Sequence, residues 1–566
     1  MRYSKRYILF TVLLLLALML KFNNFQGIAE ETGHFRGANL KSEEWNPLIA
    51  KSVNGRALTI AIDNRVYTNG DTQVYMDDNL NLMIPVDVIR ESFNCSAHLY
   101  DDHTLLIEKY TDSLRLDLDS PYVDINEEQY SVISTLTRRG EDYFVPAEVL
   151  SKYLGYSFSW DIEKNEALVV NASTENSILP SRYDLREKGR SPQIKNQGDK
   201  GTCWAAASLA ALESSLLPET DVILSTDHMS LENGFGLTQN DGGEYTMSLA
   251  YLTSWQGPVL EEDDPYDGVG VPGLSPVMHV QEAQVIESKD FQKIKEAVFK
   301  YGAVQTSIYS TLQNADSQSA FFNRRTNAYC YIGSERPNHD VVIIGWDDHY
   351  SKDHFTGSLE GDGAFICQNS WGEEFGDNGV FYVSYYDTNI GIHNLVYTKV
   401  ESTGNYDTVY QSDLCGWVGQ LGYSRDTIYG ANVYTADRNQ KLEAAGFYAT
   451  GKNTEYEVYI SGDWKGTFDL EQQPVASGKV DNAGYYTVSF DRPVDVKKGE
   501  RFAVVVKIYT PDSLRPMAIE YMPEDDHIQV DLTDGEGYIS SSGRSWERVE
   551  ETQQCNLCIK AYASER

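Results

Sequence analysis

The stretch Asn196-Gln197-Gly198-Asp199-Lys200-Gly201-Thr202-Cys203-Trp204, followed by Ala205-Ala206-Ala207, decides how this chain reads. Glycine and aspartate mark a turn, and the alanine-rich run predicts a helix from Trp204 to about Leu217. Cys203 therefore stands at a helix start, where unpaired backbone N–H groups favour a thiolate. A thiol nucleophile needs a base and a group that orients the base. Two later segments supply both: Asn338-His339-Asp340 before Val341 to Trp346, and Gln368-Asn369-Ser370-Trp371-Gly372. His339 is the candidate general base and acid, and Asn369 the group that holds its ring. Gln197 is a candidate donor to a developing oxyanion, with the Cys203 backbone N–H as the second. Trp371 is placed to cover the Asn–His hydrogen bond from water. A lone cysteine is usually inert and a lone histidine usually structural, so the weight lies on the set.

Outward from this segment, 566 residues exceed what one core organises, and about three domains are expected. A hydrophobic content of 41% argues for folded domains. The formal net charge of −37 excludes nucleic acid and anionic membrane surfaces as natural partners, because both require a basic face. Arg2, Lys5 and Arg6 precede an apolar run from Tyr7 to Leu20, which suits a signal segment. Residues 1–29 read as a signal peptide or an N-terminal membrane anchor, the only membrane link expected, and the remainder as exported. The seven cysteines are too few for a disulfide scaffold, and their odd number leaves one thiol free. Cys555-Asn-Leu-Cys558 lacks a second ligand pair, so no metal or other cofactor is expected. Cys415 bridged to Cys555 or Cys558, or all three as reduced thiols, are both open.

Residues 30–56 read as a linker. Residues 57–172 contain an internal repeat: Met83-Ile84-Pro85-Val86-Asp87-Val88-Ile89 recurs as Phe144-Val145-Pro146-Ala147-Glu148-Val149-Leu150. Each copy predicts a strand, a short helix entered just after the proline, which suits the first helical turn, and closing strands at Thr104–Ile107 and Ala167–Val170. Residues 178–400 predict helices first and strands later, an α+β unit with two lobes. Its strands are expected at Val304–Ile308, Val341–Gly345, Ala364–Gln368 and Val380–Tyr385, and a second helix at Asp290–Tyr301. Residues 401–566 show short alternating runs such as Tyr456–Ile460 and Phe502–Ile508 between Gly, Asn and Asp turns, the pattern of an antiparallel β-sandwich.

The middle segment resembles the papain family of cysteine peptidases. The resemblance rests on Gln197 and Cys203-Trp204, on Asn338 to Trp346, on Asn369-Ser370-Trp371-Gly372, and on Phe375-Gly376-Asp377-Asn378-Gly379. Leu179-Pro180 to Arg186 resembles the mature N-terminus of that family. The resemblance implies a two-lobed fold, one helical and one barrel-like, and a Cys203–His339–Asn369 site with Gln197 as oxyanion donor. It also implies that Gly242-Gly243, after Asp241, forms the wall along a bound peptide backbone; the alternative is an ordinary turn. Two positions depart from the family. Lys200 stands where a bracing cysteine is usual, so packing alone is expected to hold the Cys203 loop. Leu185 stands where a tryptophan is usual. Asp340 is expected either to raise the His339 imidazolium pKa slightly or to face solvent. The 57–172 repeat resembles the stalk-type domain at the N-terminus of copper amine oxidases. Residues 401–566 resemble the lectin-like sandwich of bacterial surface proteins, where Trp417 or Trp464 would stack on sugars or simply pack the core.

These readings imply a cell-surface cysteine endopeptidase acting on polypeptides through an acyl-thioester on Cys203. Cell-wall or host glycans are the further partner class implied for the C-terminal segment. The alternative is a surface adhesin whose papain-like unit is catalytically silent. A cell-wall amidase is a third, weaker reading.

Overall fold

The computed structural model describes residues 59–565, except 63–64, 68–73, 78–80, 94, 110–111, 127, 162–165, 172–178, 463, 467, 470 and 523–529. The expected signal or anchor segment 1–29 and linker 30–56 lie outside the described residues. Among the described residues no helix is long and apolar enough to cross a membrane. The chain forms two compact units.

The first unit contains Leu114–Asn176 and the residues before Phe93. Both proline-marked copies of the repeat are there. Leu82–Pro85 leads into the helix Val86–Ser92, and Asp142–Pro146 into the helix Ala147–Leu154. The two strands pair antiparallel, Val145 opposite Ile84. Pro146 is the N-cap, with extended backbone, rather than a first-turn residue. Its fixed φ suits a strand end as well as a helix start, and each helix begins just after its proline, as expected.

The second unit contains Phe93–Ser113 and Ser177–Arg566. It therefore includes the hairpin of Ser96–Tyr100 and Thr104–Lys109 as well as the papain-like and C-terminal segments. The hairpin is held by Leu99 N–H donating to Glu219 Oε1 at 2.8 Å and by a Lys188–Glu108 ion pair at 2.7 Å.

The Cys203–Leu216 helix is the centre of the papain-like segment. Residues Trp204 to Ser214 are all buried. A helix apolar on every face is one surrounded by protein. It packs against the strands His339–Asp347, Val304–Ile308 and Asn394–Ser402. The chain turns extended at Leu217, and Pro218 follows. Two shorter helices, Thr226–Leu231 and Tyr245–Thr253, complete the helical side. The expected second helix runs Phe291–Lys300, capped by the Asp290 side chain accepting from Lys293 N–H at 3.1 Å.

On the other side, His339–Asp347 is flanked by Val304–Ile308 and Ala364–Gln368, with Val380–Ser384 beyond. Their burial patterns are almost unbroken, as strands covered on both faces require. The sheet does not stop at the end of this segment. Met278–Val285 pairs with Asn394–Ser402 on one edge and with Ala483–Val496 on the other. The sheet thereby runs on into the C-terminal segment through Gln440–Ala449 and Ile559–Ser564. At the junction Gly484 has φ +143°, and a Cβ there would lie 2.1 Å from the Ala283 carbonyl oxygen, so only glycine fits. The second sheet of the sandwich holds Ala476–Val480, Thr454–Gly462, Arg501–Tyr509 and Thr427–Thr435 in order. All seven cysteines are free thiols, so the reduced alternative holds for Cys415, Cys555 and Cys558.

Candidate active site

Strand register brings the separated segments together. Ile308 pairs with His339 and Ser307 with Asp340, so His339 opens its strand at one edge of the sheet. Gln368 ends the neighbouring strand opposite Val342, which delivers Asn369 to the same edge. The turn after Asn369 is then stitched to the loop before the helix. Gln197 N–H donates to Ser370 O at 2.8 Å, Gly372 N–H donates to Lys195 O at 3.0 Å, and Asn196 bridges Trp371.

His339 is buried, and its Nε2 lies 2.8 Å from Asn369 Oδ1. Asn369 Oδ1 accepts as well from Ser370 N–H at 2.8 Å, which fixes the amide so that its oxygen faces the ring. With Nε2 engaged, Nδ1 is the ring nitrogen left to exchange a proton. Trp371 stacks on the imidazole at 4.7 Å between centroids, with planes 21° apart, and shields this pair. Burial pushes the imidazole down to about 4, against the upward pull of the Asn369 hydrogen bond.

Cys203 is half-buried at the first position of its helix. Burial pushes its thiol up to about 12, and the Asp340 carboxylate adds to that. Backbone N–H groups of Asp340, Trp204 and Cys203 pull the other way. The Asp340 N–H belongs to the residue after His339, so the thiol lies against the start of the His339 strand. Thr202, the N-cap, makes no side-chain cap and leaves the first-turn N–H groups free of its hydroxyl. Other histidines of this segment are engaged elsewhere: His228 Nδ1 with Tyr251 OH at 2.6 Å, His279 Nδ1 with Asn405, and His393 Nδ1 with Ser307 Oγ at 3.3 Å. His349 lies exposed after the His339 strand.

Gln197 is buried, and its amide is fixed at both ends. Its Oε1 accepts from Ser370 Oγ at 2.6 Å and its Nε2 donates to Lys200 O at 2.6 Å. One Nε2 hydrogen remains for another acceptor. Gly242 has φ +79° with open space around its Cα, and a Cβ on Gly243 would lie 2.6 Å from the Trp204 indole. The glycine pair thus forms a bare backbone edge pressed against the residue after Cys203.

Packing alone does not hold the Cys203 loop, contrary to expectation. Gly201 N–H donates to Gln239 O at 2.7 Å. Tyr266 OH bonds Thr202 Oγ1 at 2.7 Å and donates to Gln197 O at 3.0 Å. Beneath the loop Lys195 pairs with the buried Glu213 at 2.7 Å. Polar contacts to distant segments occupy the role a disulfide would have, and Pro265-Tyr266, which resembles a structural landmark of the family, supplies two of them. Asp340 neither faces solvent nor contacts the imidazole. It is buried, accepting from Ser307 Oγ at 2.6 Å and Gln305 Nε2 at 2.8 Å. Of the two tryptophans considered for sugars, Trp464 is buried edge-on against Trp546 and belongs to packing. Trp417 is half-buried beside Tyr448. Among the described residues no cluster of three or more His, Cys, Asp or Glu is arranged to hold a metal.

Comparison with known proteins divides the chain in three. Residues 61–169 match the copper amine oxidase N-terminal domain, 179–400 the papain family cysteine protease, and 409–563 the lectin like domain. The chain is 26% identical over 273 residues to a probable cysteine protease, RD19B, of Arabidopsis thaliana, covering 45% of this chain and 72% of that protein. It is 27% identical over 209 residues to mouse cathepsin K, covering 36% and 58%. The chain thus spans between about half and three quarters of those relatives' lengths. The structure resembles the clostridial cysteine protease Cwp84 after propeptide cleavage, with a TM-score of 0.60 and 26% identity, covering 68% of this chain and 100% of that one. A second Cwp84 structure, comprising the protease and lectin-like domains of that surface layer associated protein of Clostridium difficile, matches with the same score and covers 89% of its chain. Residues 179–400 are therefore a papain-family cysteine peptidase domain, carried between a copper amine oxidase N-terminal-like domain and a lectin-like domain.

Proposed function

We propose that this protein is an exported, cell-surface cysteine endopeptidase that hydrolyses peptide bonds through an acyl-thioester on Cys203. The observation that carries the reading is the 2.8 Å His339–Asn369 hydrogen bond under Trp371, with the Cys203 thiol against the next backbone N–H of the same strand. His339 Nδ1 takes the thiol proton as Sγ forms a bond to the substrate carbonyl carbon. The carbonyl oxygen becomes an oxyanion, met by the Cys203 N–H and the remaining Nε2 hydrogen of Gln197. Collapse breaks the C–N bond, and His339 returns its proton to the departing amine. Water then attacks the thioester, giving one proton to His339. The carboxylic acid leaves and the proton goes back to sulfur. Asn369 keeps the ring in register throughout and adds no charge of its own.

Burial disfavours charge on both groups in the free site, and the first-turn N–H groups favour charge separation once substrate excludes water. The surface location is supported by the resemblance to a surface layer associated protease and by the apolar segment Tyr7–Leu20. A thiol-directed epoxide label and a fluorogenic peptide panel test the reading. Wild type is expected to take one label equivalent and to hydrolyse peptides, and Cys203→Ala to do neither. An unlabelled wild type, with the chain before residue 179 removed as well as present, sinks it.

A further inference from the structure

The cleft beside Cys203 carries a buried acid that the reaction above does not use. Asp340 is 8% exposed, adjoins the thiol closely enough to raise its pKa, and lies on the strand that begins with His339. Each of its oxygens accepts one hydrogen bond, from Ser307 Oγ and from Gln305 Nε2. A carboxylate has about four acceptor sites, so half its capacity is unspent. The Gln305 amide also donates to Trp204 O at 3.2 Å, and its Oε1 is buried without a hydrogen-bond partner in the structure. Across the cleft, the bare edge of Gly242-Gly243 is followed by Glu244 and Tyr245. The Tyr245 ring lies 5.8 Å from that of His393, whose Nδ1 reaches Ser307. Glu244 is near enough to push the Asp340 carboxyl further up, and burial is the larger push. The Ser307 and Gln305 hydrogen bonds and the nearby His393 pull the carboxyl the other way, and no lysine or arginine is among the groups bearing most on it.

We propose that Asp340, with Glu244 at the rim, makes this cleft select a cationic side chain, lysine or arginine, at the substrate residue preceding the one whose carbonyl is attacked. The inference rests on the peptidase reading and names its substrate class. An extended peptide laid along Gly242-Gly243 alternates its side chains. The residue before the attacked one turns inward, between Tyr245 and the Ser307–Asp340 pair. An aliphatic side chain there would bury the carboxyl further and leave Asp340 and Gln305 with unused acceptors. A lysine ammonium or arginine guanidinium brings only donors, and it compensates the charge that burial disfavours. The net charge of −37 also draws basic peptides toward the molecule.

The test is a fluorogenic series on full-length protein, with only that residue varied among Lys, Arg, Leu and Phe. Epoxide labelling counts active sites in every sample. Wild type is expected to turn over the Lys and Arg members at least about tenfold faster in kcat/KM than Leu and Phe. Asp340→Asn, nearly isosteric, is expected to abolish that ratio, bringing the Lys and Arg members to the level of Leu and Phe in the same sample. Glu244→Lys, at an exposed position, is expected to lower Lys and Arg turnover several-fold and spare Leu. A wild-type preference for Leu or Phe overturns the proposal, as does an equal fall of all four substrates in labelled Asp340→Asn. Should Asp340→Asn take no label, Glu244→Lys decides, and an unchanged Lys-to-Leu ratio overturns the proposal. Failure of wild type to label is a different result and defeats the peptidase reading itself.

Discussion

Tyr266→Phe isolates the contribution of the polar brace that stands where the family has a disulfide. The substitution removes one oxygen and keeps the ring. That oxygen bonds Thr202 at 2.7 Å and Gln197 O at 3.0 Å, on either side of the turn that presents Cys203. Two hydrogen bonds of ordinary strength total about 1–3 kcal/mol. Tyr266 is half-buried, so water recovers part of this, and about 1–2 kcal/mol is the expected loss. The loss should stay local. Gly201 still donates to Gln239 O and Gln197 N–H to Ser370 O, so the turn remains anchored at two points. What loosens is the position of Gln197, whose amide is the proposed oxyanion donor. Loss of about 1.4 kcal/mol from transition-state binding is a tenfold fall in rate. The expected result is kcat reduced about tenfold with KM little changed, and faster amide exchange over residues 196–202. Labelling by the epoxide at saturation should remain complete, because the thiol itself is untouched. Unchanged kcat and unchanged exchange would refute the reasoning. A large global loss of stability would refute it differently, by showing that Tyr266 supports the core and not the loop.

Other perturbations address the ring, the protonation state and the C-terminal core. Asn369→Ala removes the 2.8 Å bond to His339 Nε2 and should lower kcat/KM by roughly 10- to 100-fold, read by steady-state kinetics. An effect below threefold would mean that Trp371 stacking alone sets the ring. Burial holds His339 near 4, below its ordinary 6.5, so the unfolded chain binds more protons between those values. Stability should therefore fall as pH drops from about 6.5 through 4, and activity should show its acid limb near 4; a limb above 6 would contradict the burial argument. Lys560→Met strands Asp413 in a pair that is 0% exposed on both sides, and should cost about 3–5 kcal/mol in urea unfolding. Adding Asp413→Asn should restore most of it, and a single-variant cost below about 1 kcal/mol would show that the site admits water.

What sequence disclosed here follows from the kind of constraint involved. Cys203, His339 and Asn369 are chemically unusual at their positions, and their elements are local: an alanine-rich helix, and two strands with nearly continuous burial. The repeat was legible for the same reason, because each proline marks its own strand-to-helix step. Gln239 and Lys195 were not legible, and Tyr266 was legible as a landmark but not as a brace. Each acts through one hydrogen bond or ion pair to a segment far away in sequence, and nothing in the local pattern distinguishes such a tyrosine or lysine from a surface one. Asp340 shows the limit most clearly. An aspartate beside a strand-initiating histidine reads as tuning the imidazole or facing solvent, yet register opposite Ser307 turns it inward. Register over 33 residues of separation is a property of the fold, and the hydrophobic alternation of either strand does not contain it.

The shared sheet changes what the C-terminal domain can be said to do. A strand such as Met278–Val285 with only one neighbour would offer an open hydrogen-bonding edge. Here Glu282 to Val285 pair with Tyr486 to Ala483, so the lectin-like segment closes the edge of the peptidase sheet. Side chains reinforce the junction. Tyr448 OH bonds Thr253 Oγ1 at 3.0 Å at the end of the Tyr245–Thr253 helix, and Gln411 Nε2 donates to Ser254 O at 2.8 Å. That helix begins at Tyr245, the residue at the cleft rim, so its far end is anchored on the C-terminal domain. The apolar core is likewise continuous: Tyr448, Tyr485 and Cys558 belong to the same cluster as Trp204 and Trp346. A domain that merely carried the peptidase to a surface would need none of these contacts. The geometry is that of a structural partner, whose removal exposes an edge strand and frees one end of a helix that reaches the cleft.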